Sequence, residues 1–324
     1  MEWILSLSSE KQWDFVGVLG VEERSLCSWH LNRGFGVLKD ELIVQVGDAN
    51  SWKYEAQTKE ALEIRYEEYI NKGGIKTNYE QLKLMSELFL IQELADRAVD
   101  MGSSIILDVT SMPKRFFFPI LRKLLLADSV ENLLVTYASP SSYTDDVLYE
   151  DIDIWKNLPG FGGGVTEKET LIVSIGFLVE SLNRYLSDNP DHGKVKMLIP
   201  FPASLAVLRR TWNSVADLEN GQDNTKFEKY RVDTLDMSVS FDHIKSLADN
   251  SSSPIAFAPF GPKPISMAMC IYASQANSSV YYPQPTIYHP EYSKGIKDDD
   301  PHAAVSGYWV KHEGENLYSI TDGS

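Results

Sequence analysis

The chain has 324 residues, 43% hydrophobic and 11% aromatic, which suffices for two domains or one large one. A formal net charge of −16 argues against non-specific nucleic-acid binding, which needs basic surface, but leaves room for a small anion in a local basic pocket. Two cysteines, Cys27 and Cys270, support neither a disulfide framework nor a cysteine-rich zinc site. With no signal peptide and no apolar run of membrane-spanning length, the expectation is a cytoplasmic protein with no membrane attachment, metal or cofactor.

Met1 to Ser9 is compatible with an edge strand. Residues 14–20 (DFVGVLG) predict a buried strand ending at Gly20. The turn Val21-Glu22-Glu23-Arg24-Ser25 leads into a helix through Leu26, Trp29 and Leu31. A second strand is expected over Glu41–Val46, a solvated helix over 51–70, and an amphipathic helix over Leu82–Met101. Ile105-Ile106-Leu107 then forms a strand ending at Asp108. The polar turn Thr110-Ser111-Met112-Pro113-Lys114-Arg115 follows it, then an apolar helix from Phe116 to Leu126 and a strand over Leu133–Tyr137. Proline suits the first turn of a helix, so Pro113 marks its start.

An acidic run from Asp145 to Asp153 and the cluster Pro159-Gly160-Phe161-Gly162-Gly163-Gly164 interrupt this order. A phosphate loop follows a strand and opens a helix, and this cluster does neither. It is expected to be an exposed linker without ligand.

The second half repeats the first. Leu171–Gly176 is a strand ending in glycine, and Ser181 lies five residues beyond Gly176, as Ser25 does beyond Gly20. Next come a helix ending near Leu186, a strand over Val195–Ile199 and a helix over Ser204–Leu218. A short strand at Tyr230–Val232 and a short helix over Asp242–Ala248 precede Ile255–Phe257, the turn Gly261-Pro262-Lys263-Pro264, a helix over Ile265–Ser274 and a strand at Val280–Tyr282. Pro262-Lys263 aligns with Pro113-Lys114, and Tyr282, Pro285 and Tyr288 align with Tyr137, Pro140 and Tyr143 at identical spacing. The pattern predicts an α/β fold of two tandem Rossmann-like units with mainly parallel sheets, related by a pseudo-two-fold axis. The boundaries read 1–155, a glycine-rich linker over 156–169, 170–294, and a tail over 295–324 with a hairpin around Glu313-Gly314.

In such units the loops after the first and fourth strands lie side by side at the carboxyl edge of the sheet, where ligands bind. Helix N-termini there offer backbone N–H groups and partial positive charge. Lys114 and Arg115 in one half and Lys263 in the other would complete anion sites, with hydroxyls from Thr110 and Ser111 and capping or stacking rings from Tyr143 and Tyr288. The competing reading makes the lysines solvated helix starts. Asp108 either caps its own turn or meets the ligand, and Tyr137 and Tyr282 suit the core. Glu22, Glu23 and Arg24 align with Leu178, Val179 and Glu180, so a contact or acid–base role favours the first half; a local surface ion pair is the alternative. No nucleophile–base triad or Walker loop is present, and the six histidines are scattered.

The stretch Asp108-Val109-Thr110-Ser111, with Lys114, resembles the CRISPR-associated Rossmann-fold (CARF) sensor domains. Those carry a Thr/Ser-rich turn with a basic residue after a core strand. Where that family usually has glycines, Met112-Pro113 stand here; Phe260-Gly261-Pro262-Lys263 keeps one. The resemblance covers about 40 residues per half. It implies a nucleotide ligand, an arrangement in one chain that imitates the family's dimer, and a role as sensor or accessory protein of a prokaryotic defence system signalling to a protein partner. The alternatives are an enzyme with its site between two Rossmann-like domains (a phosphodiesterase or glycosyltransferase-like protein, for which Glu22, Glu23 or Asp108 would be essential) or a non-catalytic interaction subunit.

Overall fold

The computed structural model describes residues 11–47, 53–144, 149–152, 154–162, 169–176, 180–189, 194–203, 205–222 and 225–321. The fold is α/β, in two units that each carry a mostly parallel sheet. Unit 1 comprises 1–153 and 285–317; unit 2 comprises 154–284 and 318–324.

Unit 1 opens with β1 (Trp13–Leu19), buried along its whole length, and a short 3-10 turn (Glu23–Leu26) that runs into α1 (Cys27–Gly34). β2 (Leu38–Gly47), α2 (Glu55–Asn71), β3 (Tyr79–Lys83), α3 (Leu88–Asp100), β4 (Ser104–Asp108), α4 (Lys114–Leu126) and β5 (Asn132–Ala138) follow. Strands covered on both faces read as continuous apolar runs, as β1, β4 and β5 do. The order is β3-β2-β1-β4-β5, every pair parallel. After β1 the chain builds outward through β2 and β3, then returns to the other side of β1 for β4. That reversal puts a topological switch point at the carboxyl ends of β1 and β4.

The helix expected from Leu82 begins only at Leu88, because Tyr79–Lys83 pairs with Ile43–Gly47 as an edge strand. The expected edge strand at Met1–Ser9 lies outside the described residues. Beyond β5 come two short strands, β6 (Ser142–Tyr143) and β7 (Tyr149–Ile152).

Unit 2 contains β8 (Lys156–Asn157), β9 (Thr170–Ser174), α5 (Glu180–Asp188), β10 (Lys194–Phe201), α6 (Leu205–Gly221), β11 (Lys226–Asp233), α7 (Met237–Asp249), β12 (Ile255–Pro259), α8 (Lys263–Ala276) and β13 (Ser279–Tyr282). Its order is β11-β10-β9-β12-β13-β8, parallel except for β8. Taken from its own first strand this is the order of unit 1, with the switch point between β9 and β12.

The units are not bounded where the sequence places them. Lys156–Asn157 pairs with Tyr281–Tyr282, and Leu158 and Phe161 are buried, so much of the expected linker belongs to unit 2. Burial of Phe161, whose carbonyl accepts from Val280 N at 3.1 Å, draws this segment in. Residues 163–168 lie outside the described residues. At the other end the chain returns to unit 1 at Pro285. There β14 (Pro285–Tyr288) pairs with β7, β15 (Ser293–Lys294) pairs with β6, and after α9 (Pro301–Ala304) comes β16 (Val305–His312), which lies antiparallel to β5. The tail hairpin is present. It closes through Glu313-Gly314, both at positive φ, onto β17 (Glu315–Asn316) and widens the first sheet.

Candidate functional site at the switch point of unit 1

The turn after β1 and the turn after β4 touch. A methyl group added at Gly20 would lie 2.6 Å from Ser111 Cβ, so only glycine allows this approach. Ser25 closes its own turn by donating to Gly20 O at 3.3 Å. The Gly-x-x-x-x-Ser turn therefore stands beside the Pro-Lys turn, as the α/β topology implies.

Two charged side chains of this turn point inward. Glu22 is 4% exposed and Arg24 2%, and they form an ion pair, with Arg24 Nε donating to Glu22 Oε1 at 3.1 Å. Arg24 also donates to Ala138 O at the end of β5 and to Tyr292 OH at 3.3 Å, and its guanidinium carbon lies 5.4 Å from the Tyr137 ring centroid. Burial is the largest single influence and opposes the Arg24 charge, but Glu22 together with Tyr137, Tyr292 and Tyr143 outweighs it and keeps the guanidinium protonated. Glu22 also accepts from Ser111 Oγ at 2.8 Å and from Ser293 Oγ. Glu23 is exposed.

Asp108 and Thr110 turn into the fold. Asp108 Oδ1 accepts from Thr110 Oγ1 at 2.7 Å and from Thr136 Oγ1 at 2.9 Å; Thr110 Oγ1 in turn accepts from Ala138 N at 2.9 Å. These bonds shape the β4 turn and tie it to β5, and both residues are buried. They position the site rather than face a ligand.

Lys114 is the first residue of α4 and is half-buried. Burial pushes its pKa down to about 7. The residue before it, Pro113, offers no side-chain acceptor to the helix start. Arg115 donates to Ser86 O at 3.0 Å and so ties α4 to the loop before α3.

Aromatic rings line the same region. Tyr137 OH and Tyr143 OH are 3.4 Å apart, and the Tyr292 ring centroid lies 6.5 Å from that of Tyr143 and 6.3 Å from that of Tyr288. Burial raises the pKa of Tyr143 and Tyr292 well above the ordinary phenol value, so both stay neutral. Tyr143 and Tyr288 thus come together with Glu22 and Arg24. In strand order Tyr282 matches Tyr137, but Pro285 and Tyr288 already belong to unit 1, so the repeated Tyr-x-x-Pro-x-x-Tyr spacing does not mark equivalent sites. Sequence reading missed Tyr292, Ser293 and the Ala138 carbonyl. No local spacing signals them, because the first two reach the site only through the chain's return at Pro285.

In unit 2 a methyl group at Gly176 would lie 1.9 Å from Phe260 O, and Gly261 N donates to Ser174 Oγ at 2.9 Å. Lys263 opens α8 behind Pro262, as Lys114 opens α4 behind Pro113. Ser181 is half-buried in the first turn of α5, and residues 177–179 lie outside the described residues. Beside this turn Trp155 stacks on Tyr185 at 4.0 Å and meets Phe260 edge-on at 5.3 Å. Among the described residues no helix is long and apolar enough to cross a membrane.

No protein-family model and no curated protein matches the chain. Among solved structures it is similar to phosphoethanolamine N-methyltransferase 1 of Haemonchus contortus in complex with phosphoethanolamine and S-adenosylhomocysteine. That likeness has 10% identity and a TM-score of 0.21, over 78% of this chain and 71% of that one. A UDP-N-acetylglucosamine 2-epimerase is similar at 8% identity and a TM-score of 0.24, over 87% of this chain and 93% of that one. Both likenesses are slight, and the fold assignment stands on the strand order itself.

Proposed function

We propose that unit 1 binds an anionic, nucleotide-like molecule at its switch point and acts as a cytoplasmic sensor or accessory protein of a prokaryotic antiviral defence system, passing its signal to a protein partner. The observation that carries the ligand class is Lys114. Its ammonium is half-buried at the start of α4, beside a turn that supplies the Ser111 hydroxyl. A cation pushed toward neutrality by burial gains most from an anion placed against it, and the helix start adds N–H groups and partial positive charge. The nearby tyrosines suit a base or another planar ring. The defence role rests on the resemblance of Asp108–Lys114 to the CARF turn. The second unit, with Lys263 at the same topological position, would be a further anion site. An enzymatic reading has less support, because Glu22 is neutralised by Arg24 and Asp108 is held by two threonine hydroxyls.

The test is calorimetry of Lys114→Ala, alone and with Lys263→Ala, against cyclic and linear oligonucleotides and sugar nucleotides. Loss of one charge-assisted bond, about 1.5–3 kcal/mol, should weaken binding by tenfold or more. Equal binding by parent and variants would reduce these lysines to solvated helix starts.

A further inference from the structure

The returning segment 289–296 reaches the centre of the site. Tyr292 N donates to His289 O at 3.0 Å, and Ser293–Lys294 then pairs antiparallel with Ser142–Tyr143. Ser141 N donates to Lys294 O and Thr144 N to Tyr292 O, each at 3.1 Å. Gly295, at φ 62, turns the chain away. A ribbon of two-residue strands is not stable by its backbone bonds alone. Side chains anchor it: Ser293 Oγ donates to Glu22, and Tyr292 OH accepts from Arg24.

Glu22 therefore serves three elements at once. It pairs with Arg24 of its own turn, accepts from Ser111 of the β4 turn and accepts from Ser293 of the ribbon. An anion that approaches Ser111 and Arg24 meets partners already taken by this carboxylate. Like charges repel strongly where water is scarce, so ligand and Glu22 cannot share them. Displacing Glu22 breaks the Ser293 bond as well. We propose that Glu22 is an internal counter-ion that latches the β6–β15 ribbon at the switch point, and that an anionic ligand opens the ribbon by displacing Glu22 from Arg24 and Ser111. This rests on the anion reading given above.

The test uses the full chain with pyrophosphate and ADP as probes. Ser293→Ala removes the Ser293–Glu22 bond of the latch and leaves the Glu22–Arg24 pair and the Arg24–Tyr292 bond in place; Ser293→Thr keeps a hydroxyl. Ser293→Ala should speed amide exchange at Ser141 and Thr144 about tenfold, leave Ile105–Leu107 unchanged, and tighten pyrophosphate binding by a similar factor, with Ser293→Thr restoring both. Saturating pyrophosphate should speed the same two amides in the parent. Faster exchange in Ser293→Ala without tighter binding would make the bond merely structural, and slower exchange on adding pyrophosphate would mean closure; either overturns the latch. If pyrophosphate binding is lost in Lys114→Ala but indifferent to Ser293→Ala, the anion site stands and the latch falls. If neither probe binds the parent or Ser293→Ala, both fall.

Discussion

In unit 1 the turns after the first and fourth strands are joined through charge. Glu22 bridges Arg24 and Ser111, and the contact at Gly20 is made with a side chain. Among the described residues of unit 2, the same two turns meet where Gly176 lies against the Phe260 carbonyl and Ser174 Oγ accepts from Gly261 N. Strand order, glycine and helix-opening lysine are common to both. What differs is whether the junction can exchange partners. A carboxylate held by several donors can trade one for a ligand, whereas backbone in van der Waals contact cannot move without moving its strand. Topology alone thus supplies a crevice twice, and among the described residues the buried ion pair at such a crevice lies in unit 1.

The largest test of this contrast is Arg24→Met, which leaves Glu22 buried and uncompensated. It should cost about 3–5 kcal/mol in chemical denaturation, and adding Glu22→Gln should return part of that. A loss under about 1 kcal/mol would mean that the pair behaves as a solvated one. Gly176→Ala comes next, at about 2–3 kcal/mol, because its methyl group meets backbone that no second substitution can remove. Gly20→Ala differs in kind: introduced into Ser111→Gly, where its steric partner is gone, it should cost under about 0.5 kcal/mol. Similar penalties in both settings would erase the distinction.

Lys114 gives the third test, through pH. Its folded pKa of about 7 lies below the ordinary lysine value of 10.5, so between the two the unfolded chain binds more protons. Stability should therefore rise as pH increases from 7 to 10, and Lys114→Met should shrink that rise by about 1–2 kcal/mol, discounted for the water the ammonium still meets. A pH profile unchanged by the substitution would place Lys114 in solvent.

The last test lies at the opposite edge. Asp14 stands at the start of β1, as Thr170 does at the start of β9. Burial raises the Asp14 pKa, and Lys39, 3.8 Å away, only partly offsets it. The folded state then binds more protons than the unfolded chain just above pH 3.8, so this group's contribution falls as pH rises through that window. Asp14→Asn should stabilise unit 1 by about 1 kcal/mol at pH 7, and the gain should vanish near pH 3. A loss at pH 7 would show the Lys39 pair outweighing burial.

Most of the elements were legible because buried parallel strands announce themselves as apolar runs. β1, β4, β5, β9 and β12 fall, to within a residue or two at their ends, where Asp14–Gly20, Ile105–Leu107, Leu133–Tyr137, Leu171–Gly176 and Ile255–Phe257 place them. The edge strand β3 was not legible, since Tyr79-Glu80-Gln81-Leu82-Lys83 has neither an apolar run nor a regular alternation, and none of it is fully buried. The adjacency of the Gly20 and Ser111 turns followed from strand order, and strand order followed from the alternation of strand and helix.

The amino-acid sequence by itself determined the two α/β units, their paired glycines and the lysines that open α4 and α8, because these depend on local periodicity and turn chemistry. Tertiary structure alone decided where the units end and what closes the first site. β16 pairs with β5 across more than 160 residues of chain, and Ser293 reaches Glu22 at a separation of 271. Such contacts leave no periodic trace: the first is fixed by which edge of a finished sheet still has unpaired hydrogen-bonding groups, the second by where the returning chain lays its side chains. The same holds for Asp108 and Thr110. Their sequence suggested a ligand turn, but the nearby Thr136 and Ala138 of β5 took their hydrogen bonds, because a buried polar group must be satisfied by whatever the fold brings within reach.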